Sequence, residues 1–93
     1  MSRMTPETGL KHAIKDYLSL KGVFWWYNLA GIGAMKGIPD MFALRGGKLY
    51  AIEVKAPKGV LSGYQTEFLA AVESAGGVSV VARSLDDIIK YIP

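Results

Sequence analysis

Ninety-three residues, no cysteine and a formal net charge of +3 bound the chain before any motif is read. The length allows one domain, 1–93, because hydrophobic cores rarely divide below about 250 residues. A composition of 51% apolar and 20% charged residues suits a folded globule and excludes a disordered tail. Without cysteine there is no disulfide scaffold, thiolate zinc site or cysteine nucleophile. No apolar run nears the roughly 18 residues of a membrane span, and Met1–Thr5 opens no secretory signal. The expected setting is therefore the cytoplasm, with no membrane partner.

Charge is unevenly spread. Residues 1–30 carry Arg3, Lys11, Lys15 and Lys21 against Glu7 and Asp16, a balance of +2. Residues 31–63 carry Lys36, Arg45, Lys48, Lys55 and Lys58 against Asp40 and Glu53, a balance of +3. Residues 64–93 carry Arg83 and Lys90 against four acids, a balance of −2. A basic front with an acidic back suits a phosphate-rich partner, although +3 is also an ordinary solubility charge.

In chain order, Thr5-Pro6 reads as an N-cap and first helical residue. Leu10, Ala13, Ile14, Tyr17 and Leu18 follow as the apolar stripe of a helix that stops near Gly22. Val23–Asn28, rich in aromatics, predicts a strand, and Ala30–Gly37 a glycine-rich loop. Met41–Arg45 and Lys48–Lys55 predict a hairpin closed by Gly46-Gly47. Pro57–Gly63 is a second loop. Ser62 caps another helix with Tyr64, Phe68, Leu69 and Val72 as its buried stripe, stopped at Gly76-Gly77. Val78–Ala82 predicts a short strand and Ser84–Ile92 a last helix, with Asp87 completing a capping box. The order α-β-β-β-α-β-α describes a small mixed α/β domain.

The hairpin fixes a pairing with chemical content. With Gly46-Gly47 as the loop, Arg45 opposes Lys48, Leu44 opposes Leu49, Met41 opposes Ile52, and Asp40 opposes Glu53. Opposed side chains have Cβ atoms about 4.5–5.5 Å apart, where two carboxylates repel. Such a pair needs a shared proton or a cation, and a hard divalent cation takes oxygen ligands of this kind. Lys55 lies two residues beyond Glu53, so strand alternation puts it on the same face. Together they could orient a water and neutralise charge building on a scissile phosphate.

Glu7 and Gln65 have two readings each. Glu7 falls within the apolar stripe of the first helix, where an acid meets a polar site or complements the helix dipole. Gln65 falls on the inward face of its helix, and also completes the capping box Ser62-x-x-Gln65. His12, the one histidine, lies off the apolar stripe. The run Gly31-x-Gly33-x-x-x-Gly37 misses both the dinucleotide and the P-loop spacing, so no nucleotide cofactor is expected.

Gly37-Ile38-Pro39-Asp40, then Glu53-Val54-Lys55, then Gln65 resembles the PD-(D/E)xK nucleases, and more narrowly the VRR-NUC (virus-type replication-repair nuclease) branch. The resemblance extends to Glu7, to Asn28 ahead of the glycine loop, to Lys55-Ala56-Pro57-Lys58-Gly59, to Leu61-Ser62 and to Gly76-Gly77. It implies a restriction-endonuclease-like αβββαβ core, a mixed central sheet flanked by helices, with a short C-terminal helix added. It implies Mg2+ or Mn2+ held by Asp40, Glu53 and the carbonyl of Val54, with Lys55 positioning water and Glu7 and Gln65 completing the site. Lys36, Lys58 and Asn28 are its DNA-binding candidates. The chain departs from relatives at Gly63, where they often carry proline, and at Tyr27, where they often carry a basic residue.

By that resemblance the expected protein is a bacterial or phage-type endodeoxyribonuclease that resolves Holliday (four-way) junctions as a homodimer. The four successive aromatics Phe24, Trp25, Trp26 and Tyr27 give the dimer separate support, since alternation sends some to each face and one face would meet a partner. Their other reading is a strand buried on both faces. The alternative functions are a flap, nick or single-strand nuclease working with a helicase, and a DNA-binding module that does not cut.

Overall fold

The first helix is set by its cap. In the computed structural model, which describes residues 4–29, 31 and 33–93, Thr5 is extended and its Oγ1 accepts the N–H of Thr8 at 3.1 Å. Pro6 starts α1 (Pro6–Leu20), where its missing N–H costs nothing. Arg3 of the basic front, and Ala30 and Ile32 of the glycine-rich loop, lie outside the described residues. Ile14 and Leu18 of α1 are fully buried, and truncating either to alanine would cost about 2–5 kcal/mol.

The remaining elements are β1 (Phe24–Tyr27), β2 (Met41–Arg45), β3 (Lys48–Val54), α2 (Gly63–Ser74), β4 (Val78–Ala82) and α3 (Leu85–Tyr91). They follow the predicted order, with ends differing by a residue or two. Gly46 and Gly47, at φ 59° and 78°, close the hairpin in the left-handed backbone that a two-residue turn demands. The sheet order is β1-β2-β3-β4, antiparallel except for the parallel β3–β4 pair that the α2 crossover creates. Met41 opposes Ile52 and Arg45 opposes Lys48, the register read from the glycine pair.

One face of the sheet carries the core. Met41, Ala43, Tyr50, Ile52, Val54 and Val80 pack with Ile14 and Leu18 of α1 and with Ile88 and Ile92 at the chain end. Tyr17 Oη donates to the Ile92 carbonyl at 2.6 Å and so ties α1 to the end of α3. On the other face α2 is bound to β4, with Ser79 Oγ donating to the Leu69 carbonyl at 2.7 Å. It covers only half of that face. The rings of Phe24, Trp26, Phe42 and Phe68 run across the rest, with successive centroids 5.2, 5.6 and 6.3 Å apart. β1 is thus an edge strand with Phe24 and Tyr27 exposed, and it is not buried on both faces. Tyr64 also departs from the expected stripe. It stands 53% exposed, because α2 turns only Leu69 fully into the sheet.

Candidate active site

Strand alternation sends Glu53 to the α2 face, where it is 4% exposed and the one buried charged residue among those described. Continuing the β2–β3 register beyond Met41 and Ile52 brings Asp40 opposite it. The Asp40 carboxyl acts on Glu53 from across the ladder, and Gln65 Nε2 donates to Glu53 Oε1 at 3.3 Å. Burial, then the hydrogen bond and negative charge of Asp40, push the Glu53 carboxyl from 4.5 up to about 8; Lys55 and Lys11 pull the other way. Burial and Asp40 both favour the protonated form of the Glu53 carboxyl.

Asp40 is held from two sides. Its Oδ2 accepts the Val54 N–H at 2.7 Å and its Oδ1 pairs with Lys11 Nζ at 3.1 Å. The first contact follows from Pro39. The residue that would oppose Val54 in the ladder is Pro39, which has no N–H to offer the Val54 carbonyl. In a strand the N–H and C=O of one residue point to the same side, so that carbonyl faces the Asp40 edge. Asn28 fixes the turn: its N–H donates to the Asp40 carbonyl at 2.9 Å and its Nδ2 to the Pro39 carbonyl at 3.0 Å.

The other residues singled out from the sequence fall around this pair. Glu7 Oε1 accepts the Ala56 N–H at 3.3 Å, so the first turn of α1 borders the strand end that carries Lys55. Gln65 meets both of its readings at once, since its Oε1 accepts the Ser62 N–H at 2.9 Å while its amide reaches Glu53. Lys55 is half-buried, and Lys58 is exposed on the loop that follows. Lys36 is exposed before the Asp40 turn, with Nζ 3.4 Å from Tyr64 Oη and 4.8 Å from that ring's centre. Gly37, at φ 76°, lies so close to the start of α2 that a Cβ would collide with the Tyr64 carbonyl.

Two contributors were not singled out from the sequence. Lys11 follows Glu7 by four residues and so shares its helix face, a signal that was available. Arg83 gave none: just beyond the end of β4, its Nη1 donates to the carbonyls of Ala56, Pro57 and Gly59 at 2.9, 3.3 and 2.7 Å. It holds the loop after Lys55 in place.

Among the described residues no three His, Asp or Glu side chains gather into a ready cation site. The donors that do meet are two carboxyls and a backbone carbonyl, all hard oxygens, and the carboxyls carry mutually repelling charge once deprotonated. That chemistry fits a hard divalent cation.

No protein-family model matches the chain, and no curated protein does so. Solved structures do match. One named "VRR_NUC domain" superposes with a TM-score of 0.80 at 21% identity, covering 96% of both chains. Another, named "VRR_NUC domain protein", gives a TM-score of 0.76 at 18% identity over 98% of this chain and 88% of its own. Among the described residues no helix is long and apolar enough to cross a membrane. With three helices around a four-stranded mixed sheet among the described residues, matched over nearly its full length, the chain has the α/β fold of VRR-NUC domains.

Proposed function

We propose that the protein is a VRR-NUC nuclease, a metal-dependent endodeoxyribonuclease that cuts branched DNA such as four-way junctions as a homodimer. The observation that carries this reading is the placement of Asp40 opposite the buried Glu53 carboxyl, with Lys55 two residues along the same strand. Asp40, Glu53 and the Val54 carbonyl would hold Mg2+ or Mn2+, and the bound cation would supply Lewis-acid stabilisation of the phosphate and a more acidic water.

The chain's own groups do the rest. Lys55 lies two residues along from Glu53, so its ammonium faces the phosphate that the acids bring in, and there it holds water and offsets developing negative charge. Gln65 fixes the rotamer of Glu53, the Val54 N–H and Lys11 fix that of Asp40, and Asn28 holds the backbone turn between them. Lys36, Lys58 and Asn28 would lie along the DNA strand; one N–H of the Asn28 amide already serves the Pro39 carbonyl, so its contact to a phosphate would run through its second N–H.

A gel assay tests the reading: a synthetic four-way junction, a matched linear duplex and a flap, each with Mg2+, Mn2+ or EDTA, beside the Asp40→Asn protein. Paired symmetric cuts in the junction alone, lost with EDTA and in Asp40→Asn, are expected. Cutting of the flap or a single strand instead would move the substrate to that class. Binding without cutting under either metal would leave a DNA-binding module.

A further inference from the structure

β1 presents an unblunted edge. The N–H of Asn28 donates to the Asp40 carbonyl, which sets the alternation of the β1–β2 ladder. Phe24, Trp26 and Asn28 turn their backbone groups toward β2, and Trp25 and Tyr27 turn theirs outward. In the sheet order β1 is terminal, so those four outward N–H and C=O groups meet no strand among the described residues. Edges are protected by shortness, proline, charge or a bulge; Phe24–Tyr27 is short, at four residues, but carries no proline, charge or bulge.

We infer that β1 is the seam of the homodimer, pairing antiparallel with β1 of a second copy about a two-fold axis at Trp26. The inference rests on the dimer part of the function proposed above. One register joins all four outward groups symmetrically: Trp25 of each protomer exchanges both hydrogen bonds with Tyr27 of the other. Trp26 then opposes its own copy as a non-hydrogen-bonded pair, with Cα atoms about 4.5 Å apart.

The exposed apolar surface matches that occupant in amount. Phe24, Tyr27 and Leu44 are 65, 40 and 37% exposed, and Leu20 and Leu29, which flank β1 in the chain, are both 86% exposed. With large apolar side chains carrying roughly 150–250 Å² each, these five leave roughly 470–790 Å² per protomer, which reaches toward the roughly 800 Å² per partner of a standard interface.

The seam also orients the sites. A two-fold axis between edge strands stands perpendicular to the sheet, so both Asp40–Glu53 pairs open on the same side of one eight-stranded sheet. With strands about 4.8 Å apart and about 3.4 Å of rise per residue, the pairs lie roughly 20–25 Å apart. Two cuts in one branched substrate need both sites on one side.

Because the chain has no cysteine, one engineered residue reports on the axis. The full-length protein is first sized by light scattering behind gel filtration, and Trp26→Cys is then oxidised with diamide. A dimer that locks covalently through Cys at 26 is expected. Phe42→Cys, on the same face one strand further in and so about 14 Å from its copy, should stay unlinked. Tyr27→Pro removes an outward N–H and is tolerated at an edge, so it should give a folded monomer by circular dichroism even if Trp26→Cys folds poorly. A monomeric natural chain would overturn both the seam and the dimer. A dimer that neither cross-links at 26 nor dissociates with Tyr27→Pro would overturn the seam alone. Junction cleavage by any of these proteins is read separately and bears only on the nuclease reading.

Discussion

Gln65 joins the start of α2 to the buried carboxyl of Glu53. Its Oε1 accepts the Ser62 N–H at 2.9 Å and its Nε2 donates to Glu53 Oε1 at 3.3 Å. The same side chain closes a capping box and orients an acid on another element, so the helix start and the site are coupled.

Gln65→Ala should lose both functions. The cap alone is worth about 1 kcal/mol, which lowers the thermal midpoint by about 4–8 °C in a domain of this size. Gln65→Glu keeps a capping acceptor but removes the donor to Glu53 and adds a third carboxyl beside the pair. Its midpoint should recover at low pH and fall away as pH rises, in thermal melts without metal. Equal melting of the two variants at all pH values would separate Gln65 from the site.

Glu53 gives the protein a pH dependence of stability with a definite sign. Its carboxyl is near 4.5 when unfolded and about 8 when folded, so between those values the folded state binds more protons. Stability without metal should therefore decline as pH rises from about 5 to 8, and level off above. Glu53→Gln should remove that decline in EDTA melts, and Asp40→Asn should reduce it without abolishing it, since burial is the larger cause. Magnesium binding at pH 7 should release about one proton, measurable by calorimetry in buffers of different ionisation enthalpy.

Asp40→Asn should abolish cleavage, yet bind a four-way junction as tightly as the natural chain or more so, because one charge that repels phosphate is gone. Band-shift titration in EDTA measures the binding, and cleavage gels the loss. A variant that cuts at the natural rate would dismiss the site.

Lys55→Ala should cut turnover by roughly 100- to 1,000-fold while Mg2+ still raises the melting temperature, because the acids remain. Arg83→Ala offers a contrast. It releases three carbonyls of the loop after Lys55, so turnover should fall less and stability more.

The parts of the fold that were legible were the local ones. Gly46-Gly47 fixed the hairpin, and the hairpin fixed Asp40 against Glu53, because a two-residue turn leaves no freedom of register. The capping residues Thr5, Ser62 and Ser84 marked the starts of all three helices. What stayed hidden depends on distant contacts. Arg83 reaches a loop more than twenty residues earlier in the chain, and no local pattern announces that. Tyr64 followed helical periodicity yet points outward, because α2 packs mainly on β4 and buries only Leu69 fully. Periodicity finds a helix face; it does not say how wide the surface beneath it is.

Pro39 is buried, and it is missing a hydrogen. Any other residue there would bring an N–H that could reach the Val54 carbonyl and lengthen the hairpin by one rung. That rung would consume the oxygen. A single absent hydrogen-bond donor ends the ladder beside the acids, and the mouth of the site is the place where the sheet is prevented from finishing.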